Sequence, residues 1–374
     1  MKNCPVCGGK NLKKVYKQQN VPTFQNVLCS SFESAMQVSK GMIELHYCNH
    51  CSFLFNQLFD ENLVGYGSNY ENDQTYSQFF LQHIKQMATN VLNHHKDKIL
   101  EIGCGNGYFL KHLVGSQSQN LGVGYDKSLQ KSSEEDRLTL INKYYDESEQ
   151  GNFDAVISRH VVEHIVDNKS LLKLILQKNP NATFFIETPS LEWIISNKAF
   201  YDIFYEHCSY FSESSLTCLL KNSGLNIIKF DFVFNGQYCW LEADAIRRPI
   251  NKTSQKINLK AVETFFSKLT FFEEQTKSLL YEAKKVGQVI IWGAGAKGIT
   301  LVNRLDPERQ FVDFLIDINV KKQGKFCPGS GHRIVGPNVL KEDKSRKTIF
   351  VMNKNYLEEI QTHFSAPGLT YAVL

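Results

Sequence analysis

Short apolar runs alternate with amphipathic segments through most of the chain after residue 97. Four of these runs predict buried strands, at 99–102, 122–125, 155–158 and 183–187. The stretch "YFSESSLTCLLKNSGLNII" predicts a helix that begins after Ser212 and ends at Gly224, with a further strand behind it. Strands that alternate with helices in this way are typical of a parallel α/β sheet.

A second unit of the same kind follows in the C-terminal part of the chain. Residues 258–286 carry apolar side chains at helical spacing and predict one long amphipathic helix. "QVIIWGAGAKGITLVNRL" then predicts a strand, a glycine turn and a helix, and "FVDFLID" predicts the next strand. A polar segment at 246–257 separates the two units. We therefore predict domains at 1–60, 61–245 and 246–374.

Composition and charge restrict the class of protein further. Of the 374 residues, 42% are hydrophobic and 21% are charged, which is ordinary for a globular enzyme. The net charge of +4 comes from dispersed Lys and Arg, which argues against a nucleic-acid-binding face. The sequence shows neither a secretory signal nor an apolar run of membrane-spanning length, so we expect a cytoplasmic protein without a membrane partner. The ten cysteines are then expected to be reduced thiols or metal ligands.

Two CxxC pairs in the first 60 residues supply four cysteines: Cys4, Cys7, Cys48 and Cys51. Four thiolates complete a tetrahedral zinc site, and a site with no open position is structural. The 40 residues between the pairs require an inserted loop or small β element. We interpret the neighbouring His46 and His50 as bystanders. Reduced cysteines without a metal are the alternative, and a redox CxxC is disfavoured because there are two pairs.

The stretch "ILEIGCGNGYFLKHL" predicts a strand that ends in an acid and a glycine turn that opens a helix. Glu101 lies at the strand end, where α/β sheets bind ligands, and its carboxylate would attract a cationic group. Asp126 ends the next strand, in position to accept both hydroxyls of a ribose. The pattern fits S-adenosylmethionine (SAM), with its ammonium at Glu101 and its carboxylate at the helix amides. The turn residues that would approach the cofactor are Gly103, Gly105 and Gly107.

Two alternatives to a SAM site remain open at this turn. The glycines could serve only to close a tight turn. NAD is the other candidate, although GxGxG after an acid is not the GxGxxG spacing that NAD sites use.

"EIGCGNGYF" resembles the first motif of class I SAM-dependent methyltransferases, and the order of units is similar to that of the three-part sugar C-methyltransferases. The resemblance implies a Rossmann-like α/β core between a small N-terminal zinc-binding domain and a second Rossmann-like domain. It implies C-methylation beside a ketone on a nucleotide-linked deoxysugar. The most specific part is "WGAGAKGITLVN" and a later stretch that carries the family pattern at Asp317, Asn319, Lys322, Gln323, Gly324, Lys325, Pro328 and Gly329.

An acid and an imidazole stand side by side in "FYEHCSYF". Carbon methylation requires a base that removes a C–H proton, and histidine has a suitable pKa. The stretch resembles the family's Y-x-E-H-x-x-Y-F region, which implies that His207 is the base. Glu206 and Tyr205 would then orient the substrate.

A further family histidine matches His164 in "SRHVVEHI". We assign His160 to the cofactor pocket. A metal site on one helix face, formed by His160 and His164, is the alternative interpretation of this pair. Another is that His164 only lines the SAM pocket.

The acceptor site has four candidates. The loop "YGSNYENDQTY" supplies three of them, Tyr66, Tyr70 and Tyr76. Lys297 in the second glycine turn could contact the acceptor's diphosphate. That turn could instead only wall the site, or bind NAD. For the whole protein, the alternatives are an O- or N-methyltransferase acting on another polar metabolite and a zinc-ribbon binding module without catalysis.

Overall fold

The computed structural model describes residues 3–94, 97–116, 119–149, 151–246, 255–342 and 345–374. Over these ranges the strands are β1 Leu12–Pro22, β2 Lys40–Cys48, β3 Leu54–Asn56, β4 Lys98–Ile102, β5 Leu121–Tyr125, β6 Ser133–Glu135, β7 Leu138–Ile141, β8 Ala155–Arg159, β9 Thr183–Pro189, β10 Ser209–Tyr210, β11 Asn226–Val233, β12 Tyr238–Asp244, β13 Gln288–Trp292, β14 Phe314–Ile316, β15 Ile334–Val335, β16 Lys347–Val351 and β17 Leu369–Val373.

The α-helices of the same ranges are α1 Phe32–Met36, α2 Gln78–Leu92, α3 Tyr108–Ser116, α4 Asn168–Lys178, α5 Leu191–Ser196, α6 Glu213–Asn222, α7 Leu259–Ser267, α8 Leu269–Val286, α9 Ala296–Leu305, α10 Val339–Glu342 and α11 Leu357–Phe364. Short 3-10 turns lie at Glu61–Leu63, Val162–His164, Phe200–Asp202 and Lys354–Tyr356. No helix in the described ranges is long and apolar enough to cross a bilayer.

The central sheet has the order β11-β12-β9-β8-β4-β5-β7-β6 in the described part of the chain. Its strands β9, β8, β4, β5 and β7 are parallel, and β12 runs antiparallel to both of its neighbours. This confirms the predicted Rossmann-like α/β core. The four strands predicted from apolar runs lie inside the observed ones. The helix predicted after Ser212 is α6, which Ser212 caps through its hydroxyl.

The C-terminal sheet is parallel throughout the described residues, in the order β15-β14-β13-β16-β17. This confirms the second Rossmann-like unit. The single helix predicted at 258–286 is wrong: the chain forms α7 and α8, separated at Lys268, whose φ of −96° and ψ of 3° interrupt the helix. The apolar stripe continues across this break, so the sequence pattern did not reveal it. Of the polar segment at 246–257, residues 247–254 lie outside the described ranges.

The N-terminal region forms an antiparallel sheet, β1-β2-β3-β10. Its last strand comes from the middle of the chain, because Ser209 pairs with Phe55 and Tyr210 with Leu54. The C-terminal unit also contacts this region, since Gly329 N donates to Ala35 O over 2.8 Å. The N-terminal sheet is therefore packed against both Rossmann-like units, and the segment before β10 is fixed to it.

Candidate active site

A cleft of about 550 Å³ lies between the carboxyl ends of the central strands and the second glycine turn. Parallel sheets bind ligands at this edge, because loops and helix N-termini meet there. Residues from both Rossmann-like units and from the tyrosine-rich loop line the cleft, among them Asn26, Tyr70, Tyr76, His160, Glu163, His164, Trp193, Asp202, Glu206, His207, Tyr238, Gly293, Lys297, Asp317 and Lys322.

His207 lies in this cleft beside two other rings. The centroid of its imidazole is 4.1 Å from that of Phe204 and 4.9 Å from that of His164. Its Nδ1 is buried and has no hydrogen-bond partner in the described ranges. Burial lowers the pKa of His207 well below its usual value, and the nearby His164 and His160 lower it further. The ring is therefore neutral at pH 7 and has a nitrogen available to receive a proton.

His164 is held in one orientation by its Nδ1. This nitrogen lies 3.0 Å from the backbone oxygen of Glu206 and 2.7 Å from the hydroxyl of Tyr66. A carbonyl oxygen can only accept a hydrogen bond, so the contact with Glu206 requires the tautomer with a proton on Nδ1.

Glu206 is fully buried and both of its carboxylate oxygens accept hydrogen bonds. The backbone N–H of Gln25 donates to Oε1, and the hydroxyl of Tyr70 donates to Oε2 over 2.7 Å. Burial raises the pKa of Glu206, while the charge of His164 and these bonds oppose the rise. The carboxylate thus fixes Tyr70 and the N-terminal segment beside the cleft.

Tyr205 does not reach the cleft, which corrects its assignment as a substrate-orienting residue. Its side chain is fully buried against the N-terminal sheet, where a Cβ on Gly41 would lie 2.2 Å from the ring. Its hydroxyl accepts from Asp60 N over 3.0 Å. Residues 205 and 206 form a turn rather than a strand, and their side chains have different partners, Asp60 for Tyr205 and Tyr70 for Glu206. The role of Tyr205 is structural.

His160 and His164 do not share a helix face, which contradicts the alternative of a metal site formed by this pair. His160 has a φ of +54° and precedes the 3-10 turn Val162–His164. Its ring packs on Tyr238 at 4.5 Å, and its Nδ1 is 3.4 Å from Glu163 Oε1. A different set, formed by Glu163, His164 and His207, has ligand atoms within 4.8 Å of one another. A cation bound here would take up a nitrogen lone pair of His207. His207 therefore cannot be both a ligand of this set and the base.

The first glycine turn has the backbone that the sequence predicts. Gly103, Gly105 and Gly107 have φ values of +71°, +56° and +77°, which only glycine adopts readily. A Cβ on Gly105 would meet open space, whereas one on Gly103 would lie 2.2 Å from Val161. Packing against Val161 therefore requires glycine at position 103, whether or not a ligand is bound. The carboxylate of Asp126 lies at this turn, where Oδ2 accepts from Gly105 N over 2.7 Å.

Glu101 lies beneath the same turn, almost completely buried. Its Oε2 has no hydrogen-bond partner in the part of the chain that is described. Burial raises the pKa of Glu101 to about 8, and Arg159 pulls it down. A buried carboxylate oxygen without a donor fits a ligand that brings its own positive charge.

At the second glycine turn, the charge of Lys297 is already neutralised. Its Nζ is 2.9 Å from Asp202 Oδ2 and 4.2 Å from the ring centre of Trp193. The nearby Lys322 is 5% exposed, and its Nζ donates to two neutral acceptors, Ala294 O at 3.0 Å and Asn26 Oδ1 at 3.2 Å. Tyr76 lies at the rim of the cleft and is 37% exposed.

The four N-terminal cysteines converge on one point. Cys4 Sγ and Cys51 Sγ are 3.7 Å apart, and Cys7 Sγ and Cys48 Sγ are 3.5 Å apart. Zinc–sulfur bonds of about 2.3 Å in a tetrahedron put sulfurs about 3.8 Å apart, so the spacing fits zinc. The segment between the pairs contains β1, α1 and β2, as the sequence required. His46 bonds Glu44 at 3.1 Å instead of joining the cluster.

Three residues beside the two predicted sites received no specific role from the sequence. They are Tyr66, which contacts His164; Lys322, which lines the cleft; and Arg159, which lies beside Glu101. The first two lie in segments that the sequence had singled out: Tyr66 in the tyrosine-rich loop and Lys322 in the family pattern at 317–329. No local signal distinguished these residues from their neighbours.

Two protein families match the chain. "Methyltransferase domain" matches residues 72–229, and "C-methyltransferase C-terminal domain" matches residues 245–367. C-methyltransferase NovU of Streptomyces niveus is 23% identical over 363 residues, which cover 89% of this chain and 85% of NovU.

Two methyltransferases are among the solved structures that align with part of the chain. N,N-8-amino-8-demethyl-D-riboflavin dimethyltransferase (RosA) of Streptomyces davawensis aligns with a TM-score of 0.36 at 16% identity, over 45% of this chain and 56% of that one. Human N-acetylserotonin methyltransferase in complex with SAM aligns with a TM-score of 0.36 at 14% identity, over 43% of this chain and 51% of that one.

Proposed function

Since the chain is a SAM-dependent C-methyltransferase, with a methyltransferase domain and a C-methyltransferase C-terminal domain, we propose that it methylates a carbon beside a ketone on a nucleotide-linked sugar. His207 is the general base of this proposal. The observation that carries it is the partly buried imidazole of His207, whose Nδ1 is buried and unpartnered in the described ranges and which faces a cleft shared by both Rossmann-like units.

The chemistry begins at the acceptor's C–H bond beside the ketone. His207 Nδ1 receives the proton, and the electron pair of the C–H bond moves toward the carbonyl oxygen to form an enolate. We assign stabilisation of this oxygen to His164, whose ring lies 4.9 Å from that of His207 and is held at Nδ1 by the Glu206 carbonyl. SAM, when bound, would supply the methyl group to the enolate carbon and leave as S-adenosylhomocysteine. His207 then releases the proton to solvent.

Glu206 and Tyr70 act on the geometry of the site. The carboxylate holds the Tyr70 hydroxyl and the Gln25 amide, and its backbone oxygen holds His164. The imidazole of His164, which lies beside the base, is thus held by one buried residue. Such fixed positions reduce the reorganisation that the reaction requires.

The anionic part of the acceptor would lie at the second glycine turn. What supports this is Lys322, a buried ammonium that donates only to neutral oxygens in the described residues. A buried charge without an opposite charge is costly, and a phosphate would compensate it. We therefore assign the diphosphate contact to Lys322. Lys297, the residue expected from the sequence, is already paired with Asp202.

We also propose that Cys4, Cys7, Cys48 and Cys51 hold one structural zinc ion. The sulfur spacing supports this. Four thiolates leave no open coordination position, so the ion would stabilise the N-terminal region without taking part in methyl transfer.

The acceptor class is tested by incubating the protein with SAM labelled with ¹³C in its methyl group and a panel of nucleotide-linked ketosugars. We expect a mass gain of one methyl group and a carbon-bound methyl signal in the NMR spectrum. An oxygen- or nitrogen-bound methyl signal would contradict the proposed chemistry. Methylation of free sugars as fast as of nucleotide-linked ones would contradict the acceptor class.

Replacing Asp126 with alanine should weaken binding of the product S-adenosylhomocysteine by about 1–3 kcal/mol, because the ribose hydroxyls lose a charged acceptor. This corresponds to roughly 5–150-fold in the dissociation constant measured by calorimetry. Asp136→Ala is the control, since Asp136 is exposed and lies in the turn between β6 and β7. Equal affinities for wild type and Asp126→Ala would remove Asp126 from the cofactor site.

Cofactor affinity should depend on Glu101 ionisation. The raised pKa of about 8 keeps Glu101 mostly protonated at pH 6, and the carboxylate that attracts the ligand ammonium forms as the pH rises. Affinity for S-adenosylhomocysteine should therefore increase from pH 6 to pH 8, by at most about tenfold per unit. Glu101→Gln should bind more weakly and lose this increase. An identical pH profile for the variant would contradict the assignment.

A further inference from the structure

We infer that Arg159 binds the α-carboxylate of the methyl donor, so that Glu101 and Arg159 hold the two charges of its amino-acid end. This replaces the helix amides that the sequence suggested as the carboxylate site. The inference depends on SAM binding and not on the identity of the acceptor.

The sheet places both residues on one face. Strands β4 and β8 are parallel neighbours, and Glu101 pairs with Ile157. Side chains alternate along a strand, so Arg159, two residues after Ile157, lies on the same face as Glu101. Both lie at the carboxyl ends of their strands, at the edge where the first glycine turn begins. Arg159 also lies 4.4 Å from the ring centre of Phe109, in the helix that this turn opens.

The guanidinium group of Arg159 is only partly used by the protein. Its Nε donates to Glu187 Oε2 over 2.6 Å. Its Nη2 is buried and has no hydrogen-bond partner among the described residues, and the same is true of Glu101 Oε2. An unsatisfied buried donor and an unsatisfied buried acceptor each cost free energy. Their presence together, on one face beside the glycine turn, indicates a ligand that supplies one acceptor and one donor.

Glu187 does not account for the unused nitrogen. This carboxylate also receives a hydrogen bond from His83 Nε2, so it has a second partner. Although burial opposes it, Arg159 and His83 hold the pKa of Glu187 below its usual value. The guanidinium has five donors in a planar fork, and one edge can bind Glu187 while another binds a second carboxylate. An α-amino acid end, with an ammonium and a carboxylate on one carbon, matches both unsatisfied groups.

The test compares two ligands that differ at the carboxylate. S-adenosylhomocysteine carries both charges, and its decarboxylated analogue keeps only the ammonium. Wild type should bind S-adenosylhomocysteine about 10–150-fold more tightly, the range for a hydrogen bond to a charged group. Arg159→Gln should lose this preference, with the analogue's affinity changed by less than about threefold, which is a minor effect on this scale. Arg159→Lys, which keeps the charge but not the fork, should retain part of the preference.

The control is Glu187→Gln, which removes the protein partner of Arg159. It should lower thermal stability but leave the ratio of the two affinities unchanged. If wild type binds both ligands equally, the inference is overturned without any variant. It is also overturned if Arg159→Gln weakens both ligands equally, or if Glu187→Gln abolishes the preference, since Arg159 would then act only through the fold.

Discussion

His207→Asn should lose methyl transfer by roughly 10²–10⁴-fold, the range for removal of a general base. Asparagine keeps a polar group of similar size but cannot accept the proton at pH 7. The affinity for S-adenosylhomocysteine should not change, because Glu101, Asp126 and the three glycines assigned to the cofactor lie at the first glycine turn. Single-turnover rates and calorimetry on the same preparation measure both quantities.

A second measurement separates proton removal from methyl transfer. In deuterated water, wild type should exchange the acidic hydrogen of the acceptor, and His207→Asn should not. Glu206→Gln is the matched variant: it alters the buried carboxylate next to the base but leaves the imidazole, so its loss of rate should be smaller. The competing account is that His207 only fills space between Phe204 and Tyr210. A lower melting temperature with turnover near that of wild type in the folded fraction would support that account against ours.

Removing the zinc ligands should have the second large effect. We expect one zinc per chain, and serine at Cys4, Cys7, Cys48 or Cys51 should release it. Structural zinc sites contribute apparent binding free energies of about 10–16 kcal/mol, comparable with the whole stability of a domain. The N-terminal sheet should therefore unfold, and β10, which follows His207 and pairs with β3, should lose its position. Elemental analysis and thermal unfolding measure the two losses.

Cys29→Ser is the matched control for this prediction. Cys29 is buried in the same region, but its Sγ lies only near Val27 O, at 3.9 Å, and outside the cysteine cluster. The variant should keep its zinc and its methyl transfer. Stoichiometric zinc after replacement of both Cys48 and Cys51 would contradict the proposed site.

Local spacing determined the parts of this protein whose residues are close in sequence. Glu101 and the three glycines after it specify a strand end and a turn with positive φ, because few residues other than glycine adopt that backbone. Each CxxC pair brings two thiols together by itself. The alternation of apolar runs and helices specified both Rossmann-like units, since strand and helix periods differ.

Only the tertiary structure decided which residues that are distant in sequence are in contact. Tyr66 and His164 are 98 residues apart, and Gln25 and Glu206 are 181 apart, yet each pair is in contact. The sequence could not separate Tyr205 from Glu206, because the turn that sends one side chain into the N-terminal sheet and the other to the cleft depends on packing. Lys297 and Lys322 both lie in expected motifs, but Asp202 neutralises the first and no carboxylate within the described ranges pairs with the second. Whether a side chain is free to bind or react depends on partners that are distant in sequence. The spacing of residues along the chain does not reveal these partners.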